Sequence, residues 1–158
     1  MKPALPSKDM ILAACTGNVD IPHPVLEAAC ALAELHEARL AAEPGTRGEI
    51  DRARAHSVRI IDRWVAANMP VPFGAACLHT ESMGMVVDRL AQFSVTAYAA
   101  LANAASQDEL HFVWQRLAEL SLAYADLAFE VATRRRRLPD LGSPDPHHPR
   151  AQDGRHDS

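Results

Sequence analysis

From Met83 to Leu101 the chain carries Met83, Met85, Val86, Val87, Leu90, Phe93, Val95, Ala97, Tyr98 and Leu101, which at helical spacing surround the axis on nearly every side. A helix that is apolar all round must be covered all round, so this one belongs at the centre of a bundle. Asp88, Arg89 and Gln92 break the run well short of the roughly twenty apolar residues that a bilayer span needs, so the cover is protein and not lipid. The helix is predicted to start between residues 75 and 80 and to end near 103.

Four other segments read as helices that provide this cover. Ser7 is positioned to cap a short run ending at Cys15, with Gly17 as its stop. A second helix follows Pro22 and Pro24 and runs to about residue 43, with Val25, Ala29, Leu32, His36 and Leu40 at helical spacing. Thr46 and Glu49 form a capping-box pattern before a third, amphipathic helix with the stripe Ile50, Ala53, Ser57, Ile60, Ile61, Trp64 and Ala67. A proline-rich elbow at 69–74 separates it from the central helix. Ser106 and Glu109 open a long last helix with Leu110, Val113, Leu117, Leu120, Tyr124, Leu127 and Val131 spaced by threes and fours, the clearest period in the chain. It is expected to reach Arg134, Arg135, Arg136 and Arg137, whose charges suit a helix C-terminus. The fold class is therefore all-α, a bundle of four main helices with a short N-terminal helix packed across one end. Residues 1–138 form the domain, and 139–158, rich in proline and poor in apolar residues, are expected to be a disordered tail.

Composition narrows the functional classes. A net charge of −4, despite 16 basic residues, gives no broad positive field for nucleic acid or acidic lipid. Cys15, Cys30 and Cys77 are widely spaced in apolar surroundings and read as core side chains of a cytoplasmic protein. The Leu-Ala-Ala-Cys run at 12–15 resembles a lipoprotein cleavage site, but Ser7, Lys8 and Asp9 leave too short an apolar stretch before it. His147, His148 and His156 in the tail lack the fixed geometry of a specific metal site. There is no phosphate loop, GxGxxG, HExxH, GxSxG or Glu-x-x-His pattern. Glu34, Glu37 and Asp62 partly match the acidic pairs of all-helical nucleotide pyrophosphatases, but Arg59 stands where a fourth carboxylate is needed.

The remaining constellation lies on the central helix. Glu81 and Asp88 are seven residues apart, so on one helix they differ by only about 20° around the axis. Gly84 lies between them, at a cost of about 1 kcal/mol relative to alanine, and marks a close approach by a backbone, side chain or ligand. Two buried carboxylates must be paired, coordinated or protonated. Arg54, His36 and Arg39 are the candidate partners, and a structural ion-pair network is one reading. A ligand-binding notch is the other, with acid/base or metal chemistry by shifted groups.

These residues also carry a resemblance. "TESMGMVVDRLAQFSVTAYAAL" is similar to the Thr/Ser-Glu-x-x-Gly-x-x-x-Asp-Arg-Leu helix of a bacterial family catalogued as domain of unknown function 4254, through Thr80, Glu81, Gly84, Asp88, Arg89 and Leu90. "LHEAR" at 35–39 and "RAHSVRIIDRWV" at 54–65 resemble two more of its segments, so the likeness covers roughly residues 25–130. It implies a helical fold and a polar face of His36, Glu37, Arg54, Asp62, Glu81, Asp88 and Arg89, and brings no established activity. Where some relatives carry a denser acidic run, this chain has only His36, Glu37 and Ala38.

Two function classes follow. The first is a ligand-binding or interaction module centred on Glu81, Gly84 and Asp88, with Glu37, Arg54, Asp62 and Arg89 around a small-molecule ligand. The alternative is a hydrolase of anionic small molecules, with a divalent metal on Glu81 and Asp88, His36 as general base and Arg54 on the substrate anion. An enzyme needs the notch open, whereas a structural network needs it closed and fully paired. An interaction scaffold instead predicts an exposed apolar patch on the last helix, through which two copies would pair as a homodimer.

Overall fold

The structure is a computed structural model, and it describes residues 2–140. Five α-helices follow in the expected order. In α1 (Lys8–Cys15) the Met10 N–H donates to Ser7 Oγ at 3.2 Å, and Gly17 turns the chain away with φ at +94°, a conformation that only glycine adopts cheaply. Pro24 occupies the first position of α2 (Pro24–Ala41), and the imidazole of His23 accepts the Val25 N–H at 3.1 Å. In α5 (Gln107–Ala132) the Glu109 N–H donates to Ser106 Oγ at 3.2 Å, as the capping pattern predicts.

Three local expectations are corrected. Thr46 does not cap α3 (Arg47–Asn68): Pro44 and Gly45 wind a 3-10 turn straight into the helix, and the threonine hydroxyl bonds back to the Glu43 carbonyl at 2.9 Å. The central helix, α4 (Met83–Ala102), begins later than expected, because Ser82 Oγ accepts the Met85 N–H and fixes the start there. The arginine run is not a helix end. The chain leaves α5 through Arg134 at φ +67°, and β2 (Arg136–Arg137) pairs in parallel with β1 (Cys77–Leu78) in the elbow. Arg134 donates to the Val71 carbonyl at 2.7 Å and lies over the Phe73 ring, while Arg136 pairs with Glu130 at 2.7 Å. These arginines strap the elbow to the end of α5. Cys77 is correspondingly exposed on β1, while Cys15 is buried as expected, its thiol pushed up to about 12 by burial.

The central helix contacts all four others, but it is not covered all round as expected, since Met85, Tyr98 and Leu101 are exposed. Its Met83, Val87, Leu90, Ala91 and Ala97 are wholly buried. Burying each larger aliphatic side chain contributes roughly 1.5–3 kcal/mol. The short α1 does more than lie across an end, since it reaches α2, α4 and α5 and buries Ile11 and Ala14 completely. By contrast α5, the longest helix, touches α4 and α1 but neither α2 nor α3. A large part of its surface therefore faces outward. Among the described residues no helix is long and apolar enough to cross a membrane. The expected disordered tail, including its histidines, lies outside the described residues apart from Pro139 and Asp140.

Tyr124, wholly buried on α5, donates its hydroxyl to the Pro6 carbonyl at 2.7 Å and so anchors the segment before α1. Tyr124→Phe keeps the ring packing and leaves that carbonyl unpaired, which is expected to lower stability by about 1–2 kcal/mol in thermal or denaturant unfolding.

Candidate functional site

Helical periodicity on α2 directs His36 inward, two turns along from the apolar Ala29 and one turn from Leu32, and the imidazole is buried. It meets Asp88, which α4 presents one turn after its buried Gly84. His36 Nε2 lies 2.7 Å from Asp88 Oδ1, and since an ionised carboxylate only accepts, Nε2 carries the proton. From α3, Arg54 closes the other side of the carboxylate, with Nη2 2.7 Å from Oδ2 and Nε 3.3 Å from Oδ1. This two-pronged geometry is the strongest way for a guanidinium to hold a carboxylate. The remaining edge of Arg54 donates to Asp51 at 2.9 Å, and Asp51 in turn accepts from Arg39 of α2 at 3.0 Å. Five side chains thus link α2, α3 and α4.

Burial opposes the charge on Asp88, but the hydrogen bonds from His36 and Arg54 and the positive charge of Arg54 outweigh it, holding its carboxyl below the usual carboxylate range. The hydrogen bond to Asp88 in turn holds the Arg54 pKa above its ordinary value. The outer Arg39–Asp51 pair is about two-fifths exposed on each side and contributes little on its own.

A second polar contact fixes α3 against α4. A Cβ on Gly84 would collide with the Val58 carbonyl oxygen and would lie 2.8 Å from both Val58 Cγ1 and Asp62 Oδ1. The close approach expected at this glycine is therefore made by the backbone and side chains of α3. Asp62 Oδ1 accepts the Gly84 N–H at 2.7 Å, so a carboxylate from one helix sits at the positively polarised N-terminus of the next. Burial raises the Asp62 carboxyl above its usual range, with the nearby negative charge of Asp140 adding to it, although the Gly84 N–H and the Ser82 hydroxyl work the other way.

The structure thus brings His36, Arg54 and Asp88 into one cluster and Asp62 and Gly84 into another. It places Glu81 apart from Asp88. Because α4 starts at Met83, Glu81 lies in the preceding turn, outside the helix on which the 20° relation was reckoned. Its side chain pairs with Arg89, and its N–H donates to His79 Nδ1 at 3.2 Å. Glu37 is exposed on α2 and joins neither cluster. Arg39 serves Asp51 rather than Asp88. Asp51 and Ser82 were not singled out by the sequence reading; the i,i+3 spacing of Asp51 and Arg54, and a serine just before an apolar helix, were the signals for them. Among the described residues no three His, Cys, Asp or Glu side chains converge as a metal site requires, and no buried side-chain polar atom lacks a hydrogen-bond partner.

Fold and site together define an all-helical domain whose polar chemistry is turned inward, between helices. The chain belongs to the DUF4254 family, described as a protein of unknown function, whose model matches residues 47–139. This match covers Arg54, Asp62, Glu81, Gly84, Asp88 and Arg89, while His36 and Glu37 precede it. Comparison with curated proteins and with solved structures returns no match.

Two measurements test this description. The depressed Asp88 carboxyl stabilises the fold above its unfolded pKa of about 3.9, and that contribution disappears as pH falls through the lower folded value. Asp88→Asn is therefore expected to cost about 3 kcal/mol at neutral pH, unaffected by EDTA, with the gap from wild type narrowing below about pH 4. A constant gap across that range would contradict the assignment. Gly84→Ala is expected to destabilise by at least about 2 kcal/mol in denaturant unfolding, because α3 and α4 must separate to admit the methyl group.

Proposed function

We propose that this domain is a helix-mediated association module, with a second copy of the chain as partner and the outer face of α5 as the working surface. The polar cluster on Asp88 serves that role indirectly, by holding α2, α3 and α4 in register. What favours association over ligand turnover at the cluster is that His36, Arg54, Asp62, Glu81, Asp88 and Arg89 are already engaged by other protein groups, while α5 leaves Leu122 and Phe129 more than half exposed, the latter with only the Arg135 guanidinium 5.9 Å from its ring centre.

The carrying observation is a second heptad-like seam on α5. Ala118, Leu122, Ala125, Phe129 and Ala132 follow one another by four, three, four and three residues, on a face adjacent to the buried stripe of Leu117, Tyr124 and Val131. The seam is about 21 Å long and contains no charge. Leu122 is 57% and Phe129 60% exposed. Its alternation of small and large residues is self-complementary. In an antiparallel pair centred between Ala123 and Tyr124, Phe129 of each copy faces Ala118 of the other and Leu122 faces Ala125. A two-fold axis permits this arrangement, since the same patch then serves both sides.

Sedimentation equilibrium, or light scattering on a sizing column, tests the proposal. The wild type is expected to dimerise at about 100 µM or below, and Leu122→Glu with Phe129→Glu to give a folded monomer of unchanged helix content. Glu119 and Asp126 flank the seam on one side, so the two copies bring acidic rims together. The dimer is accordingly expected to tighten when salt rises from about 0.05 M to about 0.5 M, where such repulsion is screened. A wild-type chain that stays monomeric throughout would overturn the reading.

A further inference from the structure

On the opposite flank of α5 from the seam, a cavity of about 120 Å³ opens between α4 and α5, lined by Gln92, Phe93, Thr96, Val113 and Arg116. The Arg116 guanidinium lies 4.2 Å from the centre of the Phe93 ring and 5.4 Å from that of Phe112. Stacking on aromatic faces leaves the N–H edge of a guanidinium available and limits the side chain's motion. Arg116 makes no ion pair among the described residues. Its i+3 neighbour Glu119, the nearest acidic candidate on the same helix, is engaged by Gln115 at 3.1 Å. No acidic residue lines the cavity.

We propose that this cavity is a receptor site for a single carboxylate on a short aliphatic stem, gripped by Arg116. The guanidinium edge matches a carboxylate in shape and charge and can hold both of its oxygens. Gln92 and Thr96 stand four residues apart on α4 and add an amide and a hydroxyl donor to the opposite wall. Phe93 and Val113 supply the apolar contact for the stem. The space is large enough for a carboxylate and a short stem, and its open mouth leaves room for whatever carries that stem. The same chemistry is offered by a free short-chain carboxylate and by a glutamate side chain of a partner protein.

The test is a titration of the full ¹⁵N-labelled chain with sodium propionate, against sodium chloride at equal ionic strength, following the Gln92 side-chain amide and the Arg116 Nε–H by NMR. N-acetylglutamate amide is run in parallel. Saturable shifts of both groups in the wild type with either carboxylate, absent with chloride, together with binding read at the Gln92 amide that is at least about tenfold weaker in Arg116→Gln, support the site. Propionate alone binding would assign it to free carboxylates, and the glutamate amide binding equally or better would assign it to a protein side chain. Shifts that never saturate, or that persist unchanged in Arg116→Gln, overturn the proposal. Arg116 is exposed, so the variant is expected to fold with only a small fall in melting temperature from the lost ring contacts, and Arg116→Lys, which keeps the charge without the planar fork, is expected to bind more weakly than wild type.

Discussion

The carboxylate of Asp88 is the constraint on which the arrangement of α2, α3 and α4 depends. An isolated charge at this depth would be strongly unfavourable, and it is tolerated because His36 arrives from one helix and Arg54 from another with well-formed hydrogen bonds. Each donor is useful only if its helix is in one rotational setting, so the ion cluster selects a single register among the several that an apolar interface would permit. The Asp62 contact with the Gly84 N–H makes the same demand at the other end of the α3–α4 contact. Apolar burial supplies the larger part of the driving force for this packing, and the polar contacts specify which packing is reached.

That division explains why the inward chemistry and the outward surface differ so much. Residues of the kind that suggest a catalytic site are satisfied by one another, with no buried polar side-chain atom left over among the described residues. The outer side of α5 is the reverse, an apolar seam on a helix that contacts only α4 and α1 among the helices. A helix that is apolar over more of its circumference than one neighbour can cover is a natural site for a second interface. The elbow strap adds to this picture, because Arg134 and Arg136 fasten the last turns of α5 to the segment before α4 and so keep the end of the seam from fraying.

Much of the fold was legible in the sequence because the signals were local. The all-round apolar character of 83–101 gave the central helix, and Ser7, Gly17 and Ser106 gave helix ends that the backbone reproduces. The errors arose where a distant partner or a competing cap decided the outcome. Thr46 had the right neighbour for a capping box, but the Pro44–Gly45 turn made it part of the helical path. Arg134 to Arg137 looked like a charged helix end because nothing local reveals that the elbow offers carbonyls and a ring to bind them. At the site, Arg54 and His36 were legible as candidate partners for Asp88, with Arg39 an equal candidate that the fold gives to Asp51 instead. The separation of Glu81 from Asp88 was not, since it turned on where α4 begins: Ser82 caps it, so the helix starts at Met83 and not at 75–80.

The central claim, that Asp88 and Arg54 act together as a tie between helices, is tested most directly by a double-mutant cycle. The free energies of unfolding of Arg54→Ala, Asp88→Ala and the double variant would be compared with wild type at neutral pH. The account predicts that each single change costs about 3 kcal/mol and that the double change costs much less than their sum, leaving a coupling energy of at least about 1.5 kcal/mol. Small and additive effects would contradict it, and would mean that the carboxylate is held in the fold for some purpose other than holding the fold together.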